Sequence, residues 1–211
     1  MTTFQGIPAA AFGFYAALEQ NNNRQWWEAN KESYREFVRE PLELLLTELE
    51  PRFGPGKIFR PYRDMRFTPD GVPYKTAQGA FASTQESVGY YLHISADGLA
   101  VGGGCHSDSP AQLSRYRNSV DASGTGEALR QITDGLASAG CTLGGGKLKT
   151  VPRGFARDHP RAELLKHKWL LADLSLGRPE WVSTPAAAGH VAELWAQLRP
   201  LVDWVGRYAA P

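Results

Sequence analysis

Apolar residues recur at helical spacing near both ends of the chain. Phe12, Tyr15 and Leu18 follow Pro8, which suits a first helical turn, so the N-terminal segment predicts a helix. Asn21-Asn22-Asn23 interrupts it. Asparagine tolerates the left-handed C-cap and also serves as an N-cap, so one helix ends there and a second begins. That second helix, about residues 23–39, carries Trp27, Asn30 or Lys31, and Tyr34 along one side. Pro41 fits the first turn of a third helix reaching Leu49, and PRFGPG at 51–56 ends it. At the far end Val191, Leu194, Trp195, Leu198, Leu201, Val202 and Val205 recur at three and four, predicting an amphipathic helix over 186–208. Residues 110–121 and 125–139 read as two more helices.

Strand signals fill the middle. Residues 57–67 read as extended, since their prolines disfavour helix, and 68–73 read as a Pro/Asp/Gly turn. VGYYLHISADGLAVGGG, residues 88–104, predicts a hairpin with Asp97-Gly98 as its turn. LGGGK at 143–147 reads as a loop and KWLLADLSL at 168–176 as a strand. The pattern predicts an α+β fold: a mostly antiparallel sheet with helices packed around it, as a single domain over 1–211.

Composition narrows the class. Charged residues are 21% of the chain and the net charge is +1, which fits neither disorder nor a generally basic binder. The two cysteines, Cys105 and Cys141, show no C-x-x-C spacing, which argues against a disulfide framework or a thiolate zinc site and fits a reducing cytoplasm. The N-terminal stretch is apolar but lacks a basic start, so it reads as a buried helix rather than a signal peptide, and no apolar run is long enough to span a membrane.

Charge is concentrated in two segments. Residues 57–75 and 147–168 together hold 12 Lys/Arg against 4 Asp/Glu, while the other 170 residues carry a net −7. In the first segment, FRPYRDMRFTPDGVPYKT at 59–76, Arg60, Arg63 and Arg66 are spaced three apart around Asp64. An extended conformation puts Arg60, Tyr62, Asp64 and Arg66 on one face and Arg63, Met65 and Phe67 on the other. The planar guanidinium fork suits carboxylate or phosphate, and Asp64 is placed to orient it. The segment therefore reads as an anion site, with Arg60, Arg63, Arg66 and Lys75 binding and Asp64 bracing; the alternative is a purely structural network.

The same residues carry a family resemblance. Arg60, Arg63, Asp64, Arg66, Phe67, Asp70 and Tyr74 follow the Arg-x-x-Arg-Asp-x-Arg-Phe pattern and its Asp and Tyr. This resembles the bacterial family catalogued as domain of unknown function 2461. Asn21-Asn22, Trp26-Trp27, Asn30 and Tyr34 match its N-terminal part, and LKTVPRGFARDHP at 148–160 its C-terminal part. Where the family usually has lysine after the acid, this chain has Gly71. The resemblance implies a single-domain bacterial protein with no known cofactor.

Other residues add candidates. Arg153, in the second basic segment, reads as one wall of an anion pocket; glycines 144–146 lack the G-K-[ST] that a P-loop needs. The Asp97-Gly98 turn would pair His93 with Gly102 and Tyr91 with Gly104, leaving bare floor beneath them. His93 and Asp64 are then the candidates for proton transfer. Tyr74 and Asn30, on the sides that carry the arginines and Trp27, complete the ligand-binding set. Cys105-His106 lacks further ligands at metal spacing, so no metal is expected, and the resemblance implies no cofactor. The expected partner is a small anionic ligand in an enzyme or enzyme-like pocket. The alternatives are a nucleic-acid binder that interleaves Tyr62, Phe67 and Tyr74 with basic residues, and a structural or partner-binding protein whose arginines brace the fold.

Overall fold

A computed structural model describes residues 3–64, 66, 71–106 and 109–210. The α+β reading holds: helices pack with a six-stranded sheet of order β1-β2-β3-β4-β6-β5. Its strands are β1 (Gly56–Ile58), β2 (Ala77–Gln85), β3 (Val88–Ser95), β4 (Gly98–Cys105), β5 (Thr142–Gly144) and β6 (Leu171–Gly177). β1 and β2 pair antiparallel with Lys57 opposite Phe81, and β5 and β6 pair antiparallel with Leu143 opposite Ala172. The chain clusters into two compact units. One comprises residues 1–82, 91–101 and 175–193; the other comprises 83–90, 102–174 and 194–211.

The first unit is built on helices α1 (Ala9–Gln20), α2 (Arg24–Tyr34) and α3 (Glu40–Phe53). α1 starts after Pro8 and buries Phe12, Tyr15 and Leu18, as the periodicity predicts, and Phe14 as well. Asn23 caps α2, its side-chain oxygen accepting from the Trp26 amide at 2.9 Å. The second and third helices are not separate, contrary to expectation. A π-helical turn, Arg35–Arg39, joins them, and the amide of Glu40 bonds back to the carbonyl of Arg35. Pro41 explains this: it has no N–H to offer the carbonyl four residues back, so the helix widens just before it. Pro51 does not end α3, which runs on to Phe53 and stops at Gly54, whose φ of +87° few other residues adopt.

The second unit packs α4 (Pro110–Asp121), α5 (Ser123–Ser138), the one-turn α6 (Ala162–Leu165) and the C-terminal part of α7 (Ala187–Tyr208). Two buried polar handles fix it. The Tyr116 hydroxyl donates to the carbonyl of Leu164 at 2.8 Å, and the Trp204 indole donates to that of Thr125 at 3.0 Å. Trp195 of α7 is fully buried and stacks on Tyr90, with ring centroids 5.3 Å apart.

Two expectations about the hairpin are corrected. The turn falls at Ala96-Asp97, and Gly98 opens β4. The reason is close backbone contact: a Cβ on Gly98 would lie 2.0 Å from the carbonyl oxygen of Gly177, and its φ is +128°. A turn at 96–97 sets His93 opposite Ala100 rather than Gly102, and moves Tyr91 off Gly104. The glycines are not bare floor either. A Cβ on Gly102 would meet the Asp173 carboxylate at 2.5 Å, one on Gly103 would meet Val202 at 3.0 Å, and one on Gly104 would meet the Leu170 carbonyl at 2.4 Å. They let a side chain, a helix and a neighbouring strand approach closely.

Candidate functional site

The segment carrying the arginines leaves β1 and becomes irregular. It is held by one isolated bridge, Tyr62 to Tyr74. The amide of Arg63 donates to the carbonyl of Pro73 at 2.9 Å, and that of Lys75 to Pro61 at 2.8 Å. Residues 61–63 and 73–75 thus form a narrow two-stranded neck. Arg66 departs from the extended reading: its amide and its guanidinium both fold back on Asp64. Met65, Phe67 and residues 68–70 of the turn expected over 68–73, including the motif's Asp70, lie outside the described residues.

Side chains from the helices fix the neck. The Asn22 amide bonds the Tyr74 backbone both ways, donating to its carbonyl at 3.0 Å and accepting from its N–H at 3.1 Å. Trp27 is stacked on Tyr74, with centroids 4.3 Å apart and planes 10° from parallel, and it also packs against Tyr34 and Tyr62. Tyr34 donates to Gln78 Oε1 at 2.7 Å. Gln78, fully buried on β2, passes its amide hydrogens to the carbonyls of Phe59 at 2.7 Å and Gly79 at 2.9 Å. A buried relay therefore runs from α2 to the residue just before Arg60. Burial pushes the Tyr34 phenol up to about 12, so it remains a donor across the working pH range.

Asp64 grips Arg66 with both oxygens: Nε donates at 3.0 Å and Nη2 at 2.7 Å, while the Arg66 amide adds a third bond at 3.2 Å. These bonds, side chain first, hold the Asp64 carboxyl below its usual range, and the charge of Arg60 adds to the effect. Arg60 is exposed. Lys75 is half-buried, its ammonium 5.8 Å from the centre of the Phe59 ring. Burial, and secondarily the charge of Arg60, hold Lys75 below its ordinary value. Among the described residues no carboxylate forms an ion pair with Arg60 or Lys75. Asp64 is committed to Arg66.

His93 stands on β3 beside Tyr91, ring centroids 5.6 Å apart, and Tyr91 in turn faces Phe59 at 6.2 Å. Lys75, Phe59, Tyr91 and His93 so follow one another across this unit. Gly79 makes room for that row, since a Cβ there would lie 2.7 Å from the Tyr91 hydroxyl and 3.1 Å from the Phe59 ring. Burial pushes His93 below its ordinary value, and its ring has no hydrogen-bond partner among the described residues.

Asn30 turns inward on its own helix, donating to the Trp26 carbonyl at 2.8 Å. Arg153 belongs to the second unit, exposed on a turn. Several other cations of that basic segment have structural partners. Arg161 donates to the carbonyls of Val120 and Asp121, at 2.6 and 2.7 Å, and Lys147 and Lys166 both pair with Glu163. Leu143 and Gly144 of the loop expected over 143–147 belong to β5, and Gly145 is required because a Cβ would lie 2.0 Å from the Trp169 carbonyl oxygen. Gln78 was the residue missed from sequence: it lies in a run of small residues, AQGAFASTQ, with no alternating apolar pattern to mark a strand.

The fold is α+β and the unit just described presents an arginine-bearing neck braced by aromatic and amide side chains. Residues 10–204 match the family described as conserved hypothetical protein (DUF2461), and the chain belongs to that family. No curated protein and no solved structure matches it. Among the described residues, no helix is long and apolar enough to cross a membrane, and no group of His, Cys, Asp and Glu is arranged to hold a metal ion.

Proposed function

We propose that the first unit binds a small anionic ligand, bearing phosphate or carboxylate, between Arg60 and Lys75. One observation carries this reading: Arg60 and Lys75 lie on adjacent strands of the neck, the Lys75 amide bonding the carbonyl of Pro61 at 2.8 Å, Lys75 is half-buried, and neither cation forms an ion pair with a carboxylate among the described residues. Uncompensated positive charge drawn away from water is costly and is relieved by an anion. Asp64 serves as the brace for Arg66 in this reading, because a carboxylate engaged by three hydrogen bonds is a poor proton carrier. His93 is the proton-transfer group, neutral near pH 7 and able to accept a proton. Arg63 and Tyr74 shape the neck around the ligand.

The test is thermal unfolding with orthophosphate, sugar phosphates, nucleotides and dicarboxylates. A ligand at a hundred times its Kd adds about 2.7 kcal/mol. For a chain of this size that is a shift of roughly 5–10 °C. A saturable shift for one class, weakened at least tenfold in Arg60→Ala and in Lys75→Ala, supports the reading; no shift with any of them overturns it.

A nucleic-acid reading draws on Tyr62, a large ring left 45% exposed beside the arginines. It requires a short oligonucleotide to bind with affinity falling steeply as salt rises.

A further inference from the structure

On one side of the arginine segment lies a cavity of about 510 Å³, within the range typical of ligand sites. Its walls include Trp27, Tyr34, Arg35, Arg39, Pro61 and Tyr62. Three features of these walls point to an occupant. Tyr62 is exposed despite its size, next to an otherwise buried aromatic cluster. The Trp27 indole N–H is sealed from solvent and has no acceptor among the described residues, in a chain where Trp204 finds one. The wall also contains the π-helical turn that places Arg35 and Arg39 on the cavity side, a distortion frequent at functional sites. The cations of the walls are already paired, Arg35 with Glu32 and Glu40, Arg39 with Glu43, and Lys31 with Glu28 at 3.9 Å, so the cavity itself offers no spare cation. It suits an uncharged ring.

Arg60 immediately precedes Pro61 and Tyr62 in the chain, so the cation of the anion site and the walls of the cavity are consecutive residues. We infer that the anion bound at Arg60 and Lys75 carries a planar aromatic body, which occupies this cavity and stacks on Tyr62. The inference rests on the anion-binding reading above and specifies its ligand. Flat rings are offered an exposed face by Tyr62.

The experiment compares four probes by calorimetric titration: orthophosphate, AMP, phenyl phosphate and adenosine. AMP or phenyl phosphate should bind at least tenfold tighter than orthophosphate, which is about 1.4 kcal/mol. AMP alone gaining identifies a nucleobase; both gaining equally identifies any aryl group. Tyr62→Ala should collapse that ratio toward one while Tyr62→Phe preserves it. In a 15N-labelled sample the Trp27 indole resonance, identified by its loss in Trp27→Phe, should move with AMP and stay with orthophosphate. If orthophosphate binds and neither aromatic probe improves on it, or Tyr62→Ala keeps the ratio, the aromatic body is refuted and the anion site stands. If no phosphate-bearing probe binds, the inference fails, and the anion site fails with it when the dicarboxylates also leave thermal unfolding unchanged. Adenosine binding alone would also refute the inference, since the ring would then act without the anion.

Discussion

Tyr34→Phe removes one oxygen atom and tests the relay from α2 to the arginine segment. The hydroxyl is Gln78's partner at 2.7 Å, and Gln78 is fully buried. Without it the Gln78 carbonyl oxygen keeps its burial and loses its donor, a cost of about 1–3 kcal/mol. Arg39 also approaches the hydroxyl but retains Glu43 at 2.8 Å, so its loss adds little. The ring itself stays, so almost no cavity opens. A central figure of about 2 kcal/mol lowers Tm by roughly 4–8 °C for a chain of 211 residues. Urea unfolding should show a lower midpoint at unchanged slope. Gln78→Leu provides the control: in that background the hydroxyl has nothing to satisfy, so adding Tyr34→Phe should cost at least 0.5 kcal/mol less than it does alone. Equal costs in the two backgrounds, or a cost below about 0.5 kcal/mol in the wild type, would refute the relay. Because Gln78 also holds the Phe59 carbonyl at 2.7 Å, Tyr34→Phe should loosen anion binding as well as the fold.

Two glycine substitutions should move stability in opposite directions: Gly98→Ala drives a Cβ to 2.0 Å from the Gly177 carbonyl at a φ of +128° and costs about 3 kcal/mol or more, whereas Gly135→Ala, exposed on α5 with nothing within 4 Å, gains about 1 kcal/mol in the same denaturant assay. His167 is buried and held below its ordinary value, chiefly by burial and then by Lys147, so the unfolded chain binds its proton first as the medium is acidified. Wild-type stability should therefore fall as pH drops through about 6.5, and His167→Gln should show a visibly flatter loss between pH 7.5 and 5; an identical slope would sink the assignment.

Periodicity located the elements whose apolar residues repeat, and little else. α1, α4, α5 and α7 stand close to their expected bounds because each shows one apolar face to a core. β2 was invisible because its residues are mostly small and polar, and its key side chain, Gln78, does its work through hydrogen bonds that periodicity does not register. The continuity of α2 and α3 was hidden by Pro41, a residue that reads as a start and here produces a π-turn. In the site, the Asp64 grip on an arginine was legible from spacing, but which arginine was not, since an extended chain sets Asp64 between Arg60 and Arg66 alike. Gly98 read as a turn residue because no sequence signal reveals that Gly177 presses against it.

The sheet ends on both sides in strands of three residues, Gly56–Ile58 and Thr142–Gly144. An open sheet exposes unpaired amides and carbonyls along its outer strands, and those groups recruit strands from other molecules. Brevity limits that recruitment: three residues give a foreign strand too few ladder bonds to hold it. Lengthening either outer strand by design would give the chain margins through which copies polymerise, with no change to the core.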